Sequence, residues 1–248
     1  MGGPLPRRSG PAIPAGPLPK QRRRGAVLAL LLVAGLAGLG GGGSTLYFEL
    51  TRPPTAAEVR AAGQTEIASR WQRLPAGRIF PATVSYLTAG DSEATASRTG
   101  IAPRAGCTAA LDPPVAALFQ RHGCLAVLRA TYLDESGTLA VTVGVAVMPS
   151  GAAASAVADP VSGHSGVRAA RFPGTQASLF GDSQRAWFGT PAVRGPYVIL
   201  YAVGHTDGRR GLAGADAGPV GLGSSIAGQV GNTLTSGGPP CGRRDVRC

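Results

Sequence analysis

The feature that most constrains this chain is a run of 24 residues without a charged side chain, from Gly25 to Phe48. A helix of about 20 apolar residues is long enough to cross the hydrocarbon layer of a membrane. The run therefore predicts a single transmembrane helix over residues 25–48. Its expected membrane anchors are apolar side chains along the run and two aromatic ones at its outer end: Ala26, Leu30, Val33, Leu36, Leu39, Tyr47 and Phe48.

The residues before this run predict its orientation. Arg22, Arg23 and Arg24 precede it directly, and the first 24 residues hold six basic and no acidic side chains. Because basic flanks stay on the cytoplasmic side, we expect the N-terminus inside and the main domain outside the cell membrane. Six prolines and four glycines make residues 1–24 a disordered basic tail, whose charge suits anionic membrane lipid.

A cleaved secretory signal peptide is the alternative interpretation of the same run. Its dense apolar part, Ala26–Leu39, spans 14 residues, which fits the apolar region of a signal peptide. The absence of an A-x-A pattern near its end and the long proline-rich stretch before it favour a retained anchor. Both interpretations place residues 49–248 outside the cytoplasm.

The charge of the outer part does not by itself indicate a nucleic-acid partner. Beyond Phe48, 18 arginines oppose 13 acidic residues, and the one lysine of the chain is Lys20. Arginine without lysine is typical of a GC-rich genome, and the outer compartment disfavours nucleic acid. The expected partners are membrane lipid and an envelope protein or wall polyanion, while the oligomeric state stays open.

Four cysteines follow the run: Cys107, Cys124, Cys241 and Cys248. Their spacing matches no zinc motif, so neither a metal site nor a cofactor is predicted. An oxidising compartment permits disulfides, and four cysteines allow three pairings. The local scheme, Cys107 with Cys124 and Cys241 with Cys248, closes the shortest loops. A bridge from the tail to Cys107 or Cys124 is the alternative.

The first element of the outer part is a helix over 56–73, predicted by the capping-box pattern of Thr55 and Glu58. Together with its linker it forms a juxtamembrane segment over 49–78. Trp71 is either an interfacial anchor of this segment or a core residue of the domain, and the helical spacing of its apolar neighbours favours the core.

The most regular part of the domain is a predicted β-hairpin. Leu125–Leu133 and Thr138–Met148 are rich in Val, Leu and Thr, and the sequence DESG between them is typical of a turn. The remaining predicted elements, in chain order, are a strand over 79–87 broken at Pro81, a polar loop over 88–106, a helix from Asp112 to Gly123, a helix over 151–158, strands over 184–188 and 197–205, and a helix over 220–234.

These elements predict an α+β domain over 79–236, preceded by the transmembrane helix and followed by a cysteine-containing tail over 237–248. We expect one antiparallel sheet with helices packed on one face.

Three patterns approach catalytic or cofactor motifs without completing them. The sequence 163–167, GHSGV, has Val167 where a nucleophile elbow requires glycine. The sequence 221–226, GLGSSI, lacks the last glycine of a dinucleotide fingerprint. His205-Thr206-Asp207 follows a strand, where a capped turn explains the same residues. No catalytic residue is therefore predicted.

The segment around the first cysteine pair resembles a family. Gly123-Cys124 followed by LRATYLD and a TVGVAV strand is similar to uncharacterised membrane-anchored extracytoplasmic proteins of high-GC actinobacteria. In layout alone the chain resembles the disulfide-bearing sensor domains of mycobacterial receptor kinases. The resemblance implies a non-catalytic binding or sensor-like domain at the cell envelope. The alternative is a secreted or anchored envelope hydrolase with a site that the sequence does not disclose.

Overall fold

The computed structural model describes Leu30 and Leu31 and residues 52–88, 90–161, 166–210 and 218–236. Leu30 and Leu31 are helical and exposed. The rest of the predicted transmembrane segment lies outside the described residues, and so do the two predicted tails. None of the helices within the described ranges combines the length and the apolar character that crossing a membrane requires.

The chain divides into two units, Met1–Pro53 and Pro54–Cys248. The second unit is an α+β domain with one antiparallel sheet. Its described helices are α1 Ala56–Arg73, α2 Ala76–Ile79, α3 Cys107–Ala110, α4 Pro113–Arg121, α5 Gly151–Ala158 and α6 Gly218–Thr235. Its described strands are β1 Thr83–Leu87, β2 Glu93–Ala105, β3 Ala126–Leu133, β4 Leu139–Val147, β5 Arg185–Phe188, β6 Ala192–Arg194 and β7 Tyr197–His205.

The strands are ordered β1-β2-β3-β4-β7-β5, and β6 also pairs with β7. The predicted central hairpin is confirmed, with β3 and β4 in register from Ala126 opposite Val147 to Leu133 opposite Ala140. Strand β7 then lies along the other edge of β4 over its full length. The two longest apolar strands are therefore both inside the sheet, where neighbours cover each of their edges.

Helices cover both faces of the sheet, so the expectation of helices on one face is wrong. On one face α1, α2 and α6 pack against alternate residues of β4 and β7, such as Val143 and Ile199. On the other face α3, α4 and α5 pack against the intervening residues, such as Ala146 and Leu200. Both strands are apolar at successive positions rather than alternately, which is the pattern of a strand buried on both sides.

The predicted loop over 88–106 is also wrong, because Glu93–Ala105 forms strand β2 between β1 and β3. Its inward residues Ala94 and Ala96 are buried, whereas Thr95 and Ser97 are exposed. Alanine, serine and threonine give this strand little hydrophobic contrast between its faces, so its alternation was not evident. Pairing with two neighbouring strands fixes its structure despite the weak local signal.

Helix α1 begins at the predicted capping box, with the Thr55 side chain accepting from Glu58 N. Its residues Ile67 and Trp71 pack against the core on the α6 side of the sheet, which places Trp71 as a core residue. The hydroxyl of Tyr197 donates to Ile67 O and accepts from Trp71 N at 3.3 Å. A strand side chain thus joins the helix directly to the sheet.

Arg70 joins helix α1 to the end of helix α6. This arginine is 8% exposed, and its Nη1 donates to Leu234 O and to Ser236 O, each at 3.0 Å. Those carbonyls belong to the end of α6, where backbone acceptors lack partners within the helix. Arg70 therefore caps the C-terminal end of α6, although Leu234 of that helix lies 164 residues later in the chain.

Candidate functional site

A segment over 166–172, called here the crossing segment, runs across the sheet face that carries α3, α4 and α5. A β-carbon at Gly144 would lie 2.6 Å from Val167 Cγ2, and one at Gly100 would lie 2.4 Å from the ring of Phe172. The two glycines, on β4 and β2, therefore leave the space in which the crossing segment approaches the sheet. Its side chains occupy what would otherwise be the surface of three strands.

Two buried threonines hold the middle of the crossing segment. Thr131 Oγ1 lies 2.8 Å from Thr142 Oγ1 and donates to Ala170 O at 2.8 Å. Ala170 N in turn donates to Thr142 Oγ1 at 3.1 Å. Because these buried polar groups are all hydrogen-bonded, they fix the segment to β3 and β4 without a desolvation penalty from unpaired groups.

A buried ion pair closes one end of the crossing segment. Arg185 donates from Nη1 to Asp112 Oδ2 and from Nη2 to Asp112 Oδ1, both at 2.8 Å. The same carboxylate accepts from Gly166 N at 2.8 Å, and Arg185 Nη1 also donates to Val167 O at 2.9 Å. The pair therefore connects the start of α4, the crossing segment and β5.

Asp182 binds the other side of the same segment. It pairs with Arg168 at 2.9 Å and with Arg185 at 3.3 Å, and it accepts from Ala169 N at 2.8 Å. Burial acts to raise the pKa of Asp182, but the hydrogen bonds from Ala169 and Arg168 and the charges of the two arginines outweigh burial and lower it. Asp182 is accordingly an ionised partner of both arginines.

Arg129 also contacts the crossing segment, and it differs from Arg168 and Arg185. It projects from β3, is partly buried, and donates from Nη1 to Arg168 O at 3.1 Å. Its Nε is buried and has no hydrogen-bond partner among the described residues. Burial and the nearby charge of Arg168 lower the pKa of Arg129, against the opposing effect of Asp182.

These five side chains form what we call the arginine cluster: Arg129, Arg168, Arg185, Asp112 and Asp182. Asp112 and Asp182 are each paired with Arg168 or Arg185, and no described carboxylate lies within ion-pair distance of Arg129. The cluster therefore carries one positive charge in excess, and that charge belongs to Arg129.

The predicted disulfide between Cys107 and Cys124 is confirmed, with a Cα–Cα distance of 6.4 Å. Cys107 begins α3, and Cys124 stands between the end of α4 and β3. The bond thus holds the two short helices at the end of the central hairpin. The other predicted pair, Cys241 and Cys248, lies outside the described residues.

The residues His205, Thr206 and Asp207 form a capped turn, in which Asp207 Oδ1 accepts from Arg209 N at 3.0 Å. Arg209 separates the two titratable groups: its Nη2 lies 3.0 Å from His205 Nδ1, and its Nε lies 3.2 Å from Asp207 Oδ2. Thr206 Oγ1 donates to Gly137 O at 2.8 Å, which ties this turn to the turn of the central hairpin. Partial burial and the charge of Arg209 lower the pKa of His205, although Asp207 opposes them.

Of the other two motif-like patterns, the structure describes one in full. The sequence 221–226 lies inside α6, where a β-carbon at Gly223 would lie 2.2 Å from the ring of Tyr201. That glycine allows close packing of α6 on β7. Residues 162–165, with His164 and Ser165, lie outside the described residues. The described ranges hold no group of three or more His, Cys, Asp and Glu side chains placed to bind a metal ion.

Comparison of the chain with models of protein families, with curated proteins and with solved structures finds no match. The arginine cluster is therefore interpreted from its own geometry. Sequence reasoning missed it, because Asp112 and Arg185 are 73 residues apart and meet only through the sheet topology. The available signal was Arg129 itself, a charged residue in the middle of an apolar strand.

Proposed function

We propose that the chain is a single-pass membrane protein whose extracytoplasmic α+β domain binds an envelope component without catalysing a reaction. The observation that carries this proposal is the disulfide between Cys107 and Cys124. Structural disulfides persist in oxidising compartments and are rare in the cytoplasm. An extracytoplasmic position of the domain also agrees with the order along the chain, in which a basic tail is followed by the charge-free run and then by the domain.

The bonding of the polar side chains supports a binding role over catalysis. Asp112 and Asp182 are engaged with arginines and backbone amides, and Thr131 and Thr142 are engaged with the crossing segment. His205 faces Arg209 rather than a carboxylate or a hydroxyl nucleophile. In the part of the chain that the structure describes, these groups hold the fold in place, whereas general acid–base catalysis needs a titratable group that faces a substrate.

Reporter fusions test the placement of the domain. A reporter that is active only outside the cytoplasm, fused after residue 60, should be active, and a cytoplasm-only reporter at the same position should be silent. In a matched control, replacing Arg22, Arg23 and Arg24 by asparagine should weaken this bias, because it removes the basic residues nearest the run. Activity of the cytoplasmic reporter alone in the unmodified chain would overturn the proposal.

The state of the N-terminus decides between an anchored and a secreted protein. Retention of the predicted anchor gives a mature protein that still contains residues 25–48 and stays in the membrane fraction. N-terminal sequencing that finds a start near residue 38 or 44 would instead show cleavage and would overturn the single-pass assignment.

A further inference from the structure

We propose that Arg129 binds a singly charged oxyanion group, a carboxylate or a phosphodiester, of a polymer in the cell envelope. This inference rests on the proposed function and names the chemistry that the domain would recognise. The two carboxylates of the arginine cluster are already paired with Arg168 and Arg185, which leaves Arg129 without an ion pair in the described part of the chain, although the charge of Asp182 still acts on it.

The surroundings of Arg129 make an unpaired charge unfavourable. The side chain is partly buried, its Nε is shielded from solvent without an acceptor, and Arg168 adds a like charge nearby. A partly desolvated charge lowers stability unless an opposite charge or hydrogen bonds compensate it. An anion bound at the outer nitrogens of the guanidinium would compensate the charge, while Nε stays shielded from solvent.

The end of the Arg129 side chain lies near the surface. Its Nη1 donates to Arg168 O in an exposed hydrogen bond, and the side chain of Arg168 is 45% exposed. The cross-strand neighbour of Arg129 on β2 is Ala102, whose side chain is short. A ligand can therefore reach the guanidinium beside this exposed hydrogen bond, while the strand fixes the base of the side chain.

The ligand class follows from the charge and the shape of the group. A positive side chain selects an anion, and the planar fork of a guanidinium matches two oxygen atoms of a carboxylate or a phosphodiester. Arg129 lies on a central strand rather than on a loop, so its position is set before the ligand arrives.

Binding of two polymers to the full-length protein in nanodiscs tests the inference. The probes are a poly(glycerol phosphate), which carries phosphodiesters, and a polygalacturonate, which carries carboxylates, with a neutral glucan as the reference. We expect at least one anionic polymer to bind more tightly than the glucan. Arg129→Gln should weaken that binding about tenfold or more, since it removes a charge-assisted contact. Arg129→Lys, which keeps the charge but loses the fork, should give a smaller loss.

Arg209→Gln is the matched control, because Arg209 is an exposed arginine at a distant turn that loses the same charge. It should leave the affinity within about twofold of the unmodified protein, as expected for an exposed charge outside the contact. Equal weakening by Arg129→Gln and Arg209→Gln would show attraction by net charge alone and would overturn the inference.

A second variant, Ala102→Glu, tests the inference independently if Arg129→Gln does not fold. Ala102→Glu places a carboxylate on the cross-strand neighbour of Arg129, within reach of its guanidinium. It should raise the melting temperature and abolish binding, because the internal carboxylate replaces the ligand. Unchanged binding by a stable Ala102→Glu protein would contradict the inference, as would failure of the unmodified protein to prefer either anionic polymer. Neither result bears on the reporter fusions, which test the proposed function separately.

Discussion

Arg185 and Asp112, which are 73 residues apart in the chain, face each other in a bidentate ion pair with both N–O distances at 2.8 Å. Asp112 stands at the N-cap of α4 but does not cap that helix with its side chain. Its carboxylate oxygens instead accept hydrogen bonds from Arg185 of β5 and from Gly166 N of the crossing segment. The pair is therefore a structural connection within the arginine cluster, whereas the charge of Arg129 remains for a ligand.

Asp112→Asn should lower the free energy of unfolding by about 2–3 kcal/mol, because the largely buried Arg185 loses its bidentate partner and keeps only its ion pair with Asp182. Urea denaturation at pH 7 measures this change. Asp207→Asn is the control, since it breaks an ion pair whose side chains are 57% and 60% exposed. The control should change stability by less than about 1 kcal/mol, and equal losses in the two variants would contradict the structural role of Asp112.

Replacing Cys107 and Cys124 together by alanine should lower the free energy of unfolding by about 2–4 kcal/mol, because the unfolded chain loses a covalent constraint. Thermal unfolding with and without a reducing agent measures the effect. Reductant should lower the melting temperature of the unmodified protein and leave the variant unchanged. A non-reducing peptide map that links either cysteine to Cys241 or Cys248 would contradict the pairing.

Two glycines of α6 should respond in opposite directions to alanine. A β-carbon at Gly228 meets nothing within 4 Å, so Gly228→Ala should stabilise the protein by about 0.5–1 kcal/mol through helix propensity. A β-carbon at Gly223 would lie 2.2 Å from Tyr201 Cδ2, so Gly223→Ala should destabilise it by about 1–3 kcal/mol. Chemical denaturation of both variants checks this contrast. An equal loss of stability in Gly228→Ala and Gly223→Ala would show that α6 does not pack on the sheet as described.

The ion pairs of Asp182 predict a dependence of stability on pH. Because the folded state lowers the pKa of Asp182, its contribution is present above the usual carboxyl pKa, near 4, and is lost as the pH falls through the lower folded value. Asp182→Asn should therefore be less stable than the unmodified protein at pH 7, and the difference should shrink toward pH 3.

Thermal unfolding between pH 7 and pH 3 checks this dependence. Glu93→Gln is the control, since no described residue forms an ion pair with Glu93, and it should follow the unmodified protein throughout. A deficit in Asp182→Asn that stays constant over the whole pH range would show that the loss comes from packing or hydrogen bonding and not from charge.

Elements with strong local signals could be predicted from the sequence. The capping box at Thr55 and Glu58, the Asp112-Pro113-Pro114 start of α4 and the turn of the central hairpin each act within a few residues. Local hydrogen bonding and backbone restriction decide such features, and these do not depend on the rest of the fold. The first disulfide was predictable for a similar reason, because its loop is short.

Features that depend on distant parts of the chain could not be predicted. Strand β2 has small and polar side chains, so its pairing with β1 and β3 decides its structure. The burial of β4 and β7 on both faces depends on where helices before and after them pack. The surplus charge of Arg129 depends on which carboxylates other arginines take, and that is set by the tertiary structure alone.

The cap that Arg70 provides has a consequence for the order of events during synthesis. Its acceptor Leu234 O is made 164 residues after Arg70 itself. Because α1, α2 and α6 share one face of the core, a nascent chain that still lacks α6 leaves part of that face uncovered. The domain can therefore complete this face of its core only when α6 has been synthesised, and a chain interrupted before α6 would expose apolar surface to chaperones and proteases.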